Sequence, residues 1–196
     1  NCGYPGRVVV TALYELSDEQ VLSLTYSAKT DRPTVVNMCN HTYFNLNGGG
    51  SVLDHKLRIA ADHFLETTAD IIPTGKLLPV GDHKLDFRNS TLLKAQLGAG
   101  LDHAFSLNGN SEVIELYAPK TGIGLKISSN QPAVVVYTPS SLSGQPLSNE
   151  TYTDYPAICL EMQGFPDAPN HKNFPGIRLD PGEEYLNKTS YAFYLD

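Results

Sequence analysis

The sequence predicts an all-β fold of antiparallel strands, and three observations carry that expectation. About ten short runs are rich in β-branched and aromatic residues, several of them alternating apolar with polar positions. Clusters of turn formers separate the runs, drawn from 16 Gly and 13 Pro. A single stretch, 91–97, has helical character, and it is long enough for only one or two turns. That combination indicates a sandwich or barrel.

In chain order, residues 7–16 (RVVVTALYEL) and 21–28 (VLSLTYSA) flank the polar turn Ser17-Asp18-Glu19-Gln20 and read as a hairpin. Residues 34–46 form one extended run, ended by Asn47-Gly48-Gly49-Gly50. A short strand follows at 56–61, and Pro73-Thr74-Gly75 and Val80-Gly81-Asp82 read as turns. Residues 112–117 and 124–128 pair across Pro119-Lys120-Thr121-Gly122. Residues 133–137 (AVVVY) and 157–163 (AICLEMQ) are apolar enough to be buried strands, and 191–195 closes the chain. A long polar loop spans 139–156, a type of segment that often carries binding residues. No compositional break divides the chain, so residues 1–196 read as a single domain.

Composition narrows the function. Of 196 residues, 41% are hydrophobic and 18% charged, which is enough apolar material for a sizeable core. Lys and Arg number 14 against 21 Asp and Glu, a net charge of −7. Such a balance is a poor footprint for nucleic acid or an anionic membrane, and neither is expected as a partner. No run approaches the ~18 apolar residues of a membrane span. The start, Asn1-Cys2-Gly3-Tyr4-Pro5-Gly6, lacks the basic head and apolar run of a signal peptide. Lacking a Met, it reads as processed, nicked or incomplete. Three cysteines (Cys2, Cys39 and Cys159) make no disulfide framework, and reduced thiols point to the cytoplasm. Four Asn-x-Ser/Thr sequons, at Asn40, Asn89, Asn149 and Asn187, point instead to secretion.

Three segments hold residues that could carry chemistry. Alternation along a strand places Asn37, Cys39, His41, Tyr43 and Asn45 on one face, polar enough to line a pocket. The plain alternative is a histidine satisfied by hydrogen bonds near a strand end. Glu161 shares a strand face with Cys159 and Gln163, and Ile158, Leu160 and Met162 take the other. It is either solvated or held in a polar cavity, where a desolvated carboxylate becomes a useful base. Asp102 and His103 are neighbours, so on a strand only one of them enters any given pocket. No spacing suggests zinc, a phosphate loop or a serine elbow. His55, His63, His83 and His171 read as surface histidines.

Together these segments resemble the aldose 1-epimerase (galactose mutarotase) family. Asn40-His41-Thr42-Tyr43-Phe44-Asn45-Leu46 is similar to the family's Asn-His-Ser/Thr-Tyr-Phe-Asn-Leu signature. Thr74-Gly75, Pro79-Val80-Gly81, Leu85-Asp86-Phe87-Arg88 and Leu101-Asp102-His103 follow in family order. Leu160-Glu161-Met162-Gln163-Gly164-Phe165-Pro166-Asp167-Ala168-Pro169-Asn170 resembles its Leu-Glu-x-Gln-x-x-Pro-Asp block, and Phe174-Pro175 and Leu179-Pro181-Gly182-Glu183-Tyr185 resemble its ending. The likeness runs through essentially the whole chain and corresponds to the C-terminal three fifths of family members.

The resemblance implies an antiparallel β-supersandwich of the galactose mutarotase-like type, here its C-terminal part. It implies interconversion of the α and β anomers of free hexoses such as galactose and glucose, with no metal or other cofactor. By position, His41 corresponds to the general acid, Glu161 to the general base and Asp102 to a residue that binds a sugar hydroxyl. The rest of a family member supplies an Arg and a further His, so a companion chain carrying that part is an expected partner beside the sugar. One departure lies in the family's Val-Gln-x-Tyr-Thr-Gly-Asn strand, where Val135 stands for the Gln and Pro139 and Ser140 for the Gly-Asn. That departure keeps a non-catalytic sugar-binding module in view. A hexose-phosphate epimerase is the third alternative, opposed by the net charge and the lack of an Arg cluster.

Overall fold

The computed structural model describes residues 3–96, 100–140 and 154–196. Its strands follow the apolar runs. β1 (Val8–Leu16) and β2 (Val21–Thr30) form the expected hairpin, in register from Val8 opposite Thr30 to Leu16 opposite Leu22. The extended run after it does not stay in a ladder. Only β3 (Thr34–Val35) and β4 (Tyr43–Phe44) pair with other strands. Between them the backbone finds other partners, as buried peptide groups must. Val36 N–H donates to the Ile177 carbonyl at 2.9 Å, and the Asn37 side-chain amide exchanges two hydrogen bonds with the Gly164 backbone at 3.0 and 2.8 Å.

After β5 (Lys56–Ile59) come β6 (His63–Thr67) and β7 (Pro73–Pro79), an antiparallel pair that the turn signals hid. Pro73-Thr74-Gly75 lies inside β7 and is not a turn. β7 is the outer strand of its sheet, where a proline deprives no neighbour of a hydrogen bond. Gly75 takes φ 84° close to a register shift, and a Cβ there would meet the His171 imidazole. β8 (Thr91–Leu92) runs into one helical turn, α1 (Leu93–Gln96), where helical character was expected.

β9 (Asp102–Ser106) is followed by the expected hairpin of β10 (Ile114–Ala118) and β11 (Ile123–Ser129), then by β12 (Ala133–Tyr137) and β13 (Ile158–Gln163). β14 (Arg178–Leu179) pairs with β3. The last strand, β15 (Tyr185–Leu195), begins well before the expected 191 because it is laddered on both edges, to β2 and to β11. Its polar first half, with Asn187 and Lys188, obscured it.

Two large sheets result, ordered β1-β2-β15-β11-β10-β5-β8 and β4-β13-β12-β9-β6-β7. All pairings within them are antiparallel. Leu57, Ile59, Ile114, Leu116, Leu125 and Ile127 from the first sheet pack with Phe105, Val134, Val136, Ile158, Leu160 and Met162 from the second. These side chains alternate along their strands, so burying one set turns the other set outward. β1 ends the larger sheet, and all nine of its residues are exposed. No helix among the described residues is long and apolar enough to cross a membrane.

His55 is not a surface histidine but wholly buried. Its Nε2 accepts the Leu46 N–H at 3.0 Å, which leaves the proton on Nδ1 to reach Asp54 Oδ1 at 3.0 Å. The ring thereby caps the backbone beyond β4, a use of histidine that local sequence does not announce. His63 and His83 are exposed, and His171 is half-buried against Phe174.

Candidate active site

The outward face of the smaller sheet collects the polar residues. Across four strands Tyr43, Cys159, Tyr137 and Asp102 stand opposite one another in a single row. The next row places Glu161 opposite Val135, and Val135 opposite Ala104. Directly opposed residues share a face, as do residues two apart on one strand. Asp102 and Glu161 therefore lie on the same face, with β12 between their strands. His103 turns the other way, edge-on to Phe64 with ring centres 6.4 Å apart, and burial depresses its pKa. Only the aspartate of that adjacent pair faces the row.

His41 sits on residues 36–42, just before β4, and reaches across to β13. Its Nε2 is 3.2 Å from Glu161 Oε1. The His41 side chain is 48% exposed and that of Glu161 only 11%, so one partner faces solvent and the other is recessed in the sheet. Tyr43 stacks on the imidazole with ring centres 5.1 Å apart, and Tyr137 meets it edge-on at 6.2 Å. These rings restrict how the imidazole can turn. Tyr137 escaped the sequence reading; period-2 alternation in β12, with Val135 and Tyr137 opposite the inward Val134 and Val136, was the available signal.

Two thiols flank the carboxylate. Cys39 Sγ donates to Glu161 Oε2 at 3.3 Å, and Cys159 is buried one row away. Burial, reinforced by the nearby Glu161 carboxylate, pushes both thiols up to about 12. Both stay protonated near neutral pH, and neither is a nucleophile. The same causes raise the Tyr43 phenol, burial first and then Cys159, Tyr137 and Glu161.

Asn187 holds this arrangement from behind. Its side-chain amide donates to the Met38 carbonyl at 2.8 Å and to the Met162 carbonyl at 2.9 Å, the residues adjoining Cys39 and Glu161. The Tyr185 hydroxyl also binds both backbone groups of Met38. Asn187 is thus a buried structural residue, and its sequon has no free amide for a glycan. Asn187→Ala is expected to remove both of these hydrogen bonds, leaving the Met38 carbonyl to the Tyr185 hydroxyl alone and the Met162 carbonyl without its side-chain donor, and to cost about 2–3 kcal/mol. That amounts to a fall of roughly 5–10 °C in Tm, read by thermal melting.

The face predicted for residues 37–45 divides accordingly. Cys39, His41 and Tyr43 converge on Glu161, whereas Asn37 is tied to Gly164 and Asn45 to the carbonyls of Gly50 and Pro156, both at 2.9 Å. Most of the polar loop 139–156 lies outside the described residues, as do Cys2 and the Asn149 sequon.

The family model for aldose 1-epimerase matches residues 1–192. The aldose 1-epimerase of Escherichia coli is 36% identical over 210 residues, covering 99% of this chain and 61% of its own. The galactose mutarotase of Rattus norvegicus is 38% identical over 202 residues, covering 97% of this chain and 59% of its own. The crystal structure of an aldose epimerase homologue from C. elegans superposes with a TM-score of 0.93 at 30% identity, over 98% of this chain and 62% of that one. The chain spans about three fifths of the length of these relatives. A match along nearly its full length, in sequence and in fold, means that the chain belongs to the aldose 1-epimerase family.

Proposed function

We propose that this polypeptide is a mutarotase, interconverting the α and β anomers of free hexoses such as galactose and glucose. The observation that carries the proposal is the 3.2 Å approach of His41 Nε2 to Glu161 Oε1 on a face shared with Asp102. Opening a pyranose requires a proton to leave the anomeric hydroxyl and another to reach the ring oxygen. Both oxygens are bonded to the same carbon, so acid and base must converge on neighbouring atoms. Glu161 takes the hydroxyl proton and His41 protonates the ring oxygen. Rotation about C1–C2 then presents the other aldehyde face, and reversed transfers close the ring. Asp102, exposed on the same face, accepts a hydrogen bond from a sugar hydroxyl.

We further propose that the working unit includes the part of the relatives that this chain does not span, on the same polypeptide or a companion chain. The bare β1 edge and the exposed His41 support that reading, since catalysis of this kind needs a site closed from bulk water. Polarimetry on fresh α-D-galactose and α-D-glucose tests the function, with intact mass defining the sample. The expected result is equilibration faster than in buffer, lost in His41→Ala. The second reading, a sugar-binding module, is favoured by one observation: apolar Val135 stands directly opposite Glu161. Saturable hexose binding with no acceleration would establish it.

A further inference from the structure

We propose that Cys39 is a positioning residue for Glu161: its thiol donates to Oε2 and so keeps Oε1 turned toward His41 and the anomeric hydroxyl. The inference rests on the mutarotase role given to the pair. A carboxylate has two equivalent oxygens on a torsion with a broad, two-fold profile. As a base it works best with one oxygen fixed where the proton arrives. Here each oxygen has its own partner, Cys39 at 3.3 Å and His41 at 3.2 Å. Turning the carboxylate would break both contacts.

A thiol suits this task. It is a weak donor, so it sets direction while withdrawing little of the charge that makes Glu161 basic. A strong or cationic donor would hold the carboxylate more tightly and lower its basicity. Because Cys39 stays protonated, the donor persists across the working pH range. Its location is fixed through the backbone, since Asn187 binds the carbonyls of Met38 and Met162 at once. Residue 39 of the loop and residue 161 of β13 are thereby held in step.

The carboxyl of Glu161 reports the interaction directly. The groups facing it are His41, Cys39 and Tyr43 from the segment before and within β4, Cys159 from β13, Tyr137 from β12 and Asp102 from β9. Titration of the full protein by NMR, with 13C in the Glu side-chain carboxyl, follows wild type, Cys39→Ala, Cys39→Val and Cys39→Ser. Loss of the donor in the Ala and Val variants is expected to raise the Glu161 midpoint by about 0.5–1 unit. Ser, which restores a donor, is expected to return it to the wild-type value or below. Val keeps the packing volume should Ala prove unstable. In polarimetry the acid limb of the rate profile should move up by the same amount in Ala and recover in Ser. A Glu161 midpoint unchanged in folded Ala and Val variants, even with a lowered Tm, overturns the proposal. The titration does not depend on activity, so a wild type without mutarotation would defeat the mutarotase role while the carboxyl still decides the hydrogen bond.

Discussion

Glu161→Gln is expected to lower the mutarotation rate about 10²–10⁴-fold while the protein remains folded. The substitution is nearly isosteric. Gln can still accept from Cys39 through its carbonyl oxygen, so the packing around β13 is retained. It also removes a charge from a recessed site, which costs no stability in itself. What it removes is the acceptor proposed for the anomeric proton. His41→Asn should fall within the same range, because protonation of the ring oxygen is then left to water. The double variant should be little worse than either single one, as expected of groups that act as a unit. Polarimetric rates beside thermal melts decide the matter: a folded Glu161→Gln protein keeping more than about a tenth of the wild-type rate would remove Glu161 from its role.

The largest expected effect on stability belongs to His55. Its side chain is fully buried, it accepts the Leu46 N–H through Nε2, and it donates to Asp54 through Nδ1. His55→Ala strands a buried donor and opens a cavity, at a cost of about 3–4 kcal/mol. For a chain of this size, Tm should drop by roughly 6–14 °C. The wild type should also show a dependence on pH. Burial lowers the His55 pKa more than Asp54 raises it, so the folded state binds a proton less readily than the unfolded chain, whose histidines titrate near ~6.5. Stability from this group is complete above that value and is lost as pH falls through the lowered folded pKa. His103, depressed in the same direction, adds to the slope. His55→Gln should flatten the dependence by up to about 1.4 kcal/mol per pH unit, seen as converging melting curves of variant and wild type between neutral and mildly acid pH.

The fold was legible wherever alternation and turn chemistry agreed. The first hairpin, the hairpin at 114–129, and the strands β12 and β13 follow directly from apolar periodicity. What escaped has specific physical causes. β7 was hidden by Pro73 and Gly75, which punctuate a chain only where a ladder needs their N–H or a Cβ, and an outer strand with a bulge needs neither. Residues 36–42 look like a strand because their side chains alternate, yet the backbone bonds of Val36 and Met38 run to Ile177, Tyr185 and Asn187, and the Asn37 side chain is tied to Gly164. At the site, each residue type was visible and the meeting was not. Nothing local in sequence brings residue 39 to residue 161, since that contact depends on β4 pairing with β13 and on one buried asparagine.

β1 has a further consequence. A strand with water on both faces contributes ladder bonds to β2 but buries almost no apolar area, so its free energy of local opening lies far below that of the core. Its amides should lose protection against hydrogen exchange first, ahead of β2 and β15. A layer laid over Val8, Val10 and Tyr14, which share one face of the strand, would change that, because their exposed area then becomes burial. Exchange rates along β1 thus act as a gauge: slow exchange marks a molecule with this sheet covered, and fast exchange marks the open form.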